Sequence, residues 1–168
     1  NYVAGVLRQA GVGTLLMDLL TPAEDRDYER RFDIALLTQR LLDAARWVVS
    51  QPALHDLPLG FFGASTGAAA AIEAAAMLGG DAKAVVSRGG RPDLASRVAL
   101  GNVAAPTLLL VGGFDDIVID LNQQAFFQLH CEKELVIIPG ATHLFEEPGT
   151  LEEVARQSAA WFAKHLPA

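Results

Sequence analysis

A single cysteine, Cys131, stands among 168 residues. No internal disulfide can form, and a reducing, cytoplasmic location is expected. The thiol follows a predicted helix, with nothing nearby to lower its pKa, so it is expected to be buried and inert. Basic residues are also scarce: 13 Lys and Arg face 20 Asp and Glu, giving a net charge of −7 and a pI near 5.0. No basic stripe exists to neutralise phosphates, which argues against nucleic acid as a partner. No apolar run is long enough to span a bilayer, and Arg8, Gly11, Gly13 and Asp18 interrupt the apolar start, so neither a membrane partner nor a signal peptide is expected. No pair of histidines has metal-ligand spacing. No metal or other cofactor is expected.

What the chain does have is apolar surface to bury. Hydrophobic residues make up 51% and charged residues 20%, which fits one well-packed globular domain over residues 1–168. Helix and strand patterns alternate. Tyr2, Val3, Val6, Leu7 and Ala10 predict a short helix that stops at Gly11. Gly13 to Leu20 is continuously apolar up to Thr21-Pro22, as in a strand buried on both faces. Thr21 to Arg31 is charged and predicts a loop, and Ile34, Leu37, Leu41, Ala45 and Val48 keep helical spacing until Pro52. Leu57 to Phe62 predicts a second strand, followed by an Ala-rich helix. Further strands are predicted over Ala82–Ser87, Pro106–Gly112 and Glu134–Pro139. The helices between and after them are Pro92–Leu100, Val118–His130 with a face of Leu121, Ala125, Phe126 and Leu129, and a last helix. That one opens with Thr150-Leu151-Glu152-Glu153, read as a capping box. The pattern is α/β: a mostly parallel sheet of about five strands with helices on both faces.

Gly63-Ala64-Ser65-Thr66-Gly67 joins the second strand to the Ala-rich helix. This is G-x-S-x-G between strand and helix, where the glycines let the backbone turn sharply and hold the serine hydroxyl beyond the strand end. The N–H of Thr66, at the helix start, can face a developing oxyanion. Sites in open parallel sheets lie beyond the carboxyl ends of strands. Asp115, in Leu110-Val111-Gly112-Gly113-Phe114-Asp115, follows the fourth predicted strand. His143, in Pro139-Gly140-Ala141-Thr142-His143, follows the fifth. An imidazole activates a serine by taking its proton, and a carboxylate holds the imidazole in the right tautomer. The order Ser, Asp, His suits that triad. The bland alternative makes Asp115 and Asp116 helix caps and His143 structural. Asp116 is the rival acid, and the spacing Gly112-x-x-Asp115-x-x-Val118 favours Asp115.

Arg88 and Arg91, in Ser87-Arg88-Gly89-Gly90-Arg91-Pro92-Asp93, fall on the same rim as Ser65. They could bind a substrate carboxylate or phosphate, or else pair with Asp93 or another loop carboxylate. His55, His130 and His165 read as surface residues. Glu146 and Glu147 are expected at the start of the last helix, where negative charge is stabilising.

The segments just quoted, together with Gly63–Ala68 and Gly140-Ala141-Thr142-His143-Leu144-Phe145, resemble the dienelactone hydrolase-like branch of the α/β-hydrolases over nearly the whole chain. The resemblance implies hydrolysis of an ester or lactone through an acyl-enzyme, with Ser65, Asp115 and His143 as the triad. Similar domains also occur fused to phosphoribosyltransferase domains. Two departures stand out. True dienelactone hydrolases carry cysteine where this chain has Ser65. The family also places strands and a Gly-rich oxyanion loop before the first helix here, and the last of those strands lies between Gly13–Leu20 and the strand leading to Ser65. Without it, the sheet has a gap or the flanking strands pair directly. The chain also opens on Asn rather than Met. It is therefore expected to be the carboxyl-terminal part of a longer hydrolase, with the amino-terminal segment elsewhere or on a partner. Thr66 then supplies one oxyanion donor without the second, a loss of typically about 100- to 1,000-fold in turnover.

The expected function is a serine hydrolase of a small ester or lactone. An acyltransferase or perhydrolase on the same triad would differ in its acceptor. The alternative from another class is a catalytically silent binding or regulatory module serving a fused or partner domain. An open sheet edge leaves room for a homo-oligomer.

Overall fold

The computed structural model describes residues 1–166. Four apolar runs become strands: β1 (Leu59–Ala64), β2 (Ala82–Arg88), β3 (Thr107–Gly112) and β4 (Lys133–Ile138). They form one sheet in the order β1-β2-β3-β4, and every neighbouring pair is parallel. Parallel neighbours need crossover connections. These are α3 (Thr66–Leu78), the short α4 (Arg97–Asn102) and α5 (Asp116–Gln128), while α1 (Tyr2–Gln9) and α2 (Ile34–Ser50) precede the sheet and α6 (Thr150–His165) closes the chain.

Alternation along the strands divides the core into two layers. Val85 and Leu109 pack with Ala71 and Ile72 of α3, Leu100 of α4 and Ala125 of α5. Ala84, Val86, Leu108 and Leu110 point the other way, onto Leu7 of α1 and Val154, Trp161 and Phe162 of α6. Alanine favours helix and has little bulk. Ala68 to Ala71, Ala74 and Ala75 are fully buried, which brings α3 close against the sheet. All residues of β3 are buried. Asp115 therefore follows the most fully buried strand, while Ser65 and His143 follow the edge strands β1 and β4 on either side.

The strand expected over Gly13–Leu20 does not form, so the sheet has four strands rather than about five. Leu15, Leu16 and Met17 are 55%, 51% and 41% exposed. An apolar run becomes a strand only where a neighbour satisfies its N–H and C=O groups. Among the described residues the outer edge of β1 is equally unpaired. The gap, rather than direct pairing, is what the structure adopts.

Smaller corrections follow from local hydrogen bonding. Thr21–Arg31 is not a plain loop, because 3-10 turns form at Glu24–Arg26 and Tyr28–Phe32. The helix expected over Pro92–Leu100 splits into a 3-10 turn, Pro92–Leu94, and α4, which Ser96 caps through the Ala99 N–H. The capping box at Thr150 is absent: Gly149, at φ 83°, precedes the helix, and Thr150 Oγ1 donates to the Glu147 carbonyl. Glu153 instead accepts from Arg156 and Gln157. No helix among the described residues is long and apolar enough to cross a membrane.

Candidate active site

The turn from β1 into α3 is tight. A Cβ at Gly63 would lie 2.3 Å from the Gly67 carbonyl oxygen, so no side chain fits there. Ser65 sits at φ 50°, ψ −124°, a conformation that a non-glycine residue holds only when its surroundings force it. Its carbonyl accepts from the N–H groups of Ala68 (3.1 Å) and Arg91 (2.9 Å). Its hydroxyl makes no hydrogen bond to any described residue and stands at the amino end of α3. Thr66 begins that helix, so its N–H has no acceptor within it.

Asp115 precedes α5 but does not cap it, since its side chain accepts no helix N–H. Its Oδ2 lies 2.6 Å from His143 Nδ1 instead. The carboxylate is 17% exposed and the imidazole 40%. With Nδ1 donating to a carboxylate, Nε2 is left to accept a proton. Asp116, the rival acid, is exposed in the first turn of α5.

The His143 loop is held from several sides. Thr142 donates through both N–H (3.0 Å) and Oγ1 (2.6 Å) to the Glu147 carboxylate, and these bonds hold Glu147 below its usual pKa. Glu147 was expected at the start of the last helix; it braces this loop instead. Phe145 follows at φ 57° with 2% exposure, a buried ring that fixes the turn after His143.

One three-residue segment touches both halves of the site. Gly89, at φ 49°, lies so close to His143 that a Cβ would be 3.0 Å from its carbonyl oxygen and 3.7 Å from the imidazole Cε1. Arg91, two residues on, holds the Ser65 carbonyl. The rim arginines then part company. Arg91 makes a two-point pair with Asp93, 2.8 Å at each contact, which is the bland alternative for this residue. That pairing raises its pKa. Arg88 has no carboxylate partner among the described residues. Its guanidinium carbon lies 5.8 Å from the Phe145 ring centre, and its Nε is buried without an acceptor. Burial pushes its pKa below the usual value.

Residues outside the site fall mostly as expected. Cys131 is half-buried, 3.7 Å from Thr107 Oγ1, with a thiol pKa raised by burial. His55 and His130 are exposed. His165 is not a surface residue: only 10% of its side chain is exposed, it packs 4.5 Å from Trp161, and burial lowers its pKa. A separate cavity of about 480 Å³, lined by Ile34, Leu42, Glu73, Met77 and Leu94, includes none of Ser65, Asp115 and His143. Sequence reasoning missed Leu19, whose Cδ1 would be 4.0 Å from a Cβ at Gly67 and so covers the first turn of α3. It also missed Asn122, fully buried on α5.

No family model matches the chain. A crystal structure of dienelactone hydrolase from Anabaena variabilis is 54% identical and superposes with a TM-score of 0.93, over 99% of this chain and 78% of that one. The chain belongs to the dienelactone hydrolase-like branch of the α/β-hydrolases. The esterase domain of a Rhodothermus marinus protein (18% identity, TM-score 0.78, 98% of this chain and 79% of that one) shares the fold. So does Est1E from Butyrivibrio proteoclasticus (17%, TM-score 0.78, 97% and 79%). A curated Mycobacterium tuberculosis relative, named "Putative phosphoribosyl transferase", is 56% identical over 166 residues. That match takes in 99% of this chain but only 37% of the relative's length.

Proposed function

We propose that this member of the family is a serine hydrolase of small esters or lactones, working through an acyl-enzyme. The observation that carries the reading is the pairing of His143 Nδ1 with Asp115 at 2.6 Å, together with a serine held at φ 50° on a strand-to-helix turn. Ser65 Oγ attacks the substrate carbonyl carbon while His143 Nε2 takes its proton. The Thr66 N–H stabilises the oxyanion, and Asp115 stabilises the imidazolium. His143 returns the proton to the leaving oxygen as the carbonyl re-forms. Water, activated by the same imidazole, then releases the acid and frees Ser65.

Arg88 supports an acidic substrate, because it is a desolvated cation without a carboxylate partner next to the site. Arg91 is already engaged by Asp93. The transferase named for the Mycobacterium relative belongs, on this reading, to the part of that longer protein outside the match. The single cysteine supports a cytoplasmic location for this enzyme.

The test is intact-mass detection of a fluorophosphonate adduct, with the modified peptide located. An adduct on Ser65 that is lost in His143→Ala is expected. No adduct, in this chain and in the natural full-length polypeptide alike, would sink the enzyme reading and leave the silent binding module.

A further inference from the structure

Two buried polar side chains meet at the Gly89–Arg91 segment, and neither is explained by the chemistry above. Asn122 is fully buried on α5. Its Nδ2 donates to the carbonyl of Val118 in its own helix (2.8 Å) and to that of Gly90 across the sheet rim (3.0 Å). Two carbonyl acceptors fix which end of the amide is nitrogen. Oδ1 is thereby turned away, buried and without a donor. Ser87, the last residue of β2 that faces this layer, is also fully buried, and its Oγ has no partner. A Cβ at Gly90 would lie 2.0 Å from that oxygen, so the hydroxyl is pressed against the Gly90 backbone. The Asn122 amide nitrogen and the Ser87 hydroxyl converge on one glycine.

Stability alone does not favour them. An amide oxygen and a hydroxyl buried without partners cost more than apolar groups of the same shape. Their position suggests what they do instead. Asn122 rides on the helix that Asp115 immediately precedes. Gly90 is flanked by Gly89, which abuts His143, and by Arg91, whose N–H holds the Ser65 carbonyl. Through one amide, the element carrying the acid is tied to the segment that seats both the base and the nucleophile.

We propose that Asn122, which shares Gly90 as a neighbour with Ser87, is a positioning residue that sets the Gly89–Arg91 segment and so the placement of Ser65 and His143 relative to Asp115. It rests on the hydrolase reading only for its kinetic consequence; its structural consequence is visible without turnover.

The variants are Asn122→Leu, which keeps volume and removes both polar ends, and Ser87→Ala, a smaller change expected to fold if the first does not. Both are made in the natural full-length polypeptide. Two readouts are taken: saturation kinetics of fluorophosphonate labelling at Ser65, and the far-downfield proton resonance of His143 Nδ1–H. In Asn122→Leu the maximal labelling rate is expected to fall by about ten- to a hundredfold at unchanged inhibitor affinity, and the His143 resonance to shift or broaden. Ser87→Ala is expected to move both in the same direction by less. A folded Asn122→Leu, or Ser87→Ala where that is the one that folds, with wild-type labelling and an unmoved resonance overturns the proposal. If the wild type does not label at all, the hydrolase reading has failed. The resonance alone then decides: a shift supports the positioning role, and no shift refutes it.

Discussion

Thr107-Leu108-Leu109-Leu110-Val111 and Thr14-Leu15-Leu16-Met17 are nearly the same words in one chain, with opposite fates. The first is β3, buried throughout and hydrogen-bonded on both sides to β2 and β4. The second is irregular and in no ladder, with Leu15, Leu16 and Met17 exposed. Local composition cannot separate them, because a strand's free energy depends on neighbours that satisfy its backbone and cover its faces. The difference reaches the site. Asp115 lies three residues beyond β3 and finds His143, beyond β4, at 2.6 Å. The unladdered segment ends near Leu19, which only covers the first turn of α3.

If the rim of β3 holds the reacting groups, the largest effect in the molecule should follow from one atom at its end. Asp115→Asn keeps the shape but lets the amide favour the wrong imidazole tautomer. A fall of about 10⁴-fold in kcat is expected on any ester the wild type hydrolyses. Asp116→Asn should stay within a few-fold, as it is exposed. Equal losses at the two positions would break the assignment.

The second effect probes the two apolar runs directly. Leu109→Ala and Leu110→Ala remove fully buried side chains and are expected to cost about 2–5 kcal/mol each. Leu15→Ala and Leu16→Ala should change stability by no more than about 0.5 kcal/mol in this chain. Urea unfolding measures both. A Leu16→Ala cost as large as that of Leu109→Ala would break the contrast.

These contrasts mark what was legible in advance. All four strands and the principal helices were, since each apolar run there is bounded by Gly, Pro or a charged turn. Ser65, Asp115 and His143 were read as three strand-end residues in a fixed order, and the structure pairs two of them, Asp115 and His143, at 2.6 Å. The fate of Gly13–Leu20 was not, because its partner is a matter of tertiary context. Nor was the role of Glu147. It precedes a helix and was expected to serve that helix, yet the Thr142 N–H and hydroxyl compete for the same carboxylate and hold it. Asn122 carried a readable signal. Val118, Asn122, Ala125 and Leu129 share one helical face and are all buried, so a polar residue in that stripe pointed to a buried hydrogen bond. The face chosen from the sequence started at Leu121 instead, and so passed over it.

The smallest expected effect concerns what holds the unladdered run in place. Arg40 of α2 donates to the Leu19 carbonyl (2.9 Å) and makes two contacts of 2.6 Å to the Glu24 carboxylate, which also accepts from Thr21. Side-chain clamps here stand in for the ladder that β3 enjoys. The Arg40 guanidinium, with help from Thr21, lowers the Glu24 pKa to about 2. In the unfolded chain a glutamate titrates near ~4.3. A carboxylate with a depressed folded pKa stabilises the fold above its unfolded pKa, and the contribution fades as pH falls toward the folded value. The pair is partly exposed, so salt and water screen it and the effect is small. Arg40→Met should therefore be slightly less stable than wild type at pH 7 in low salt. The part of that gap due to the ion pair should shrink between about pH 4.3 and pH 2, leaving only the lost bond to Leu19 and any packing change. A gap that holds constant across that window would show that Arg40 anchors the segment through the Leu19 carbonyl and its aliphatic stem, with Glu24 a bystander.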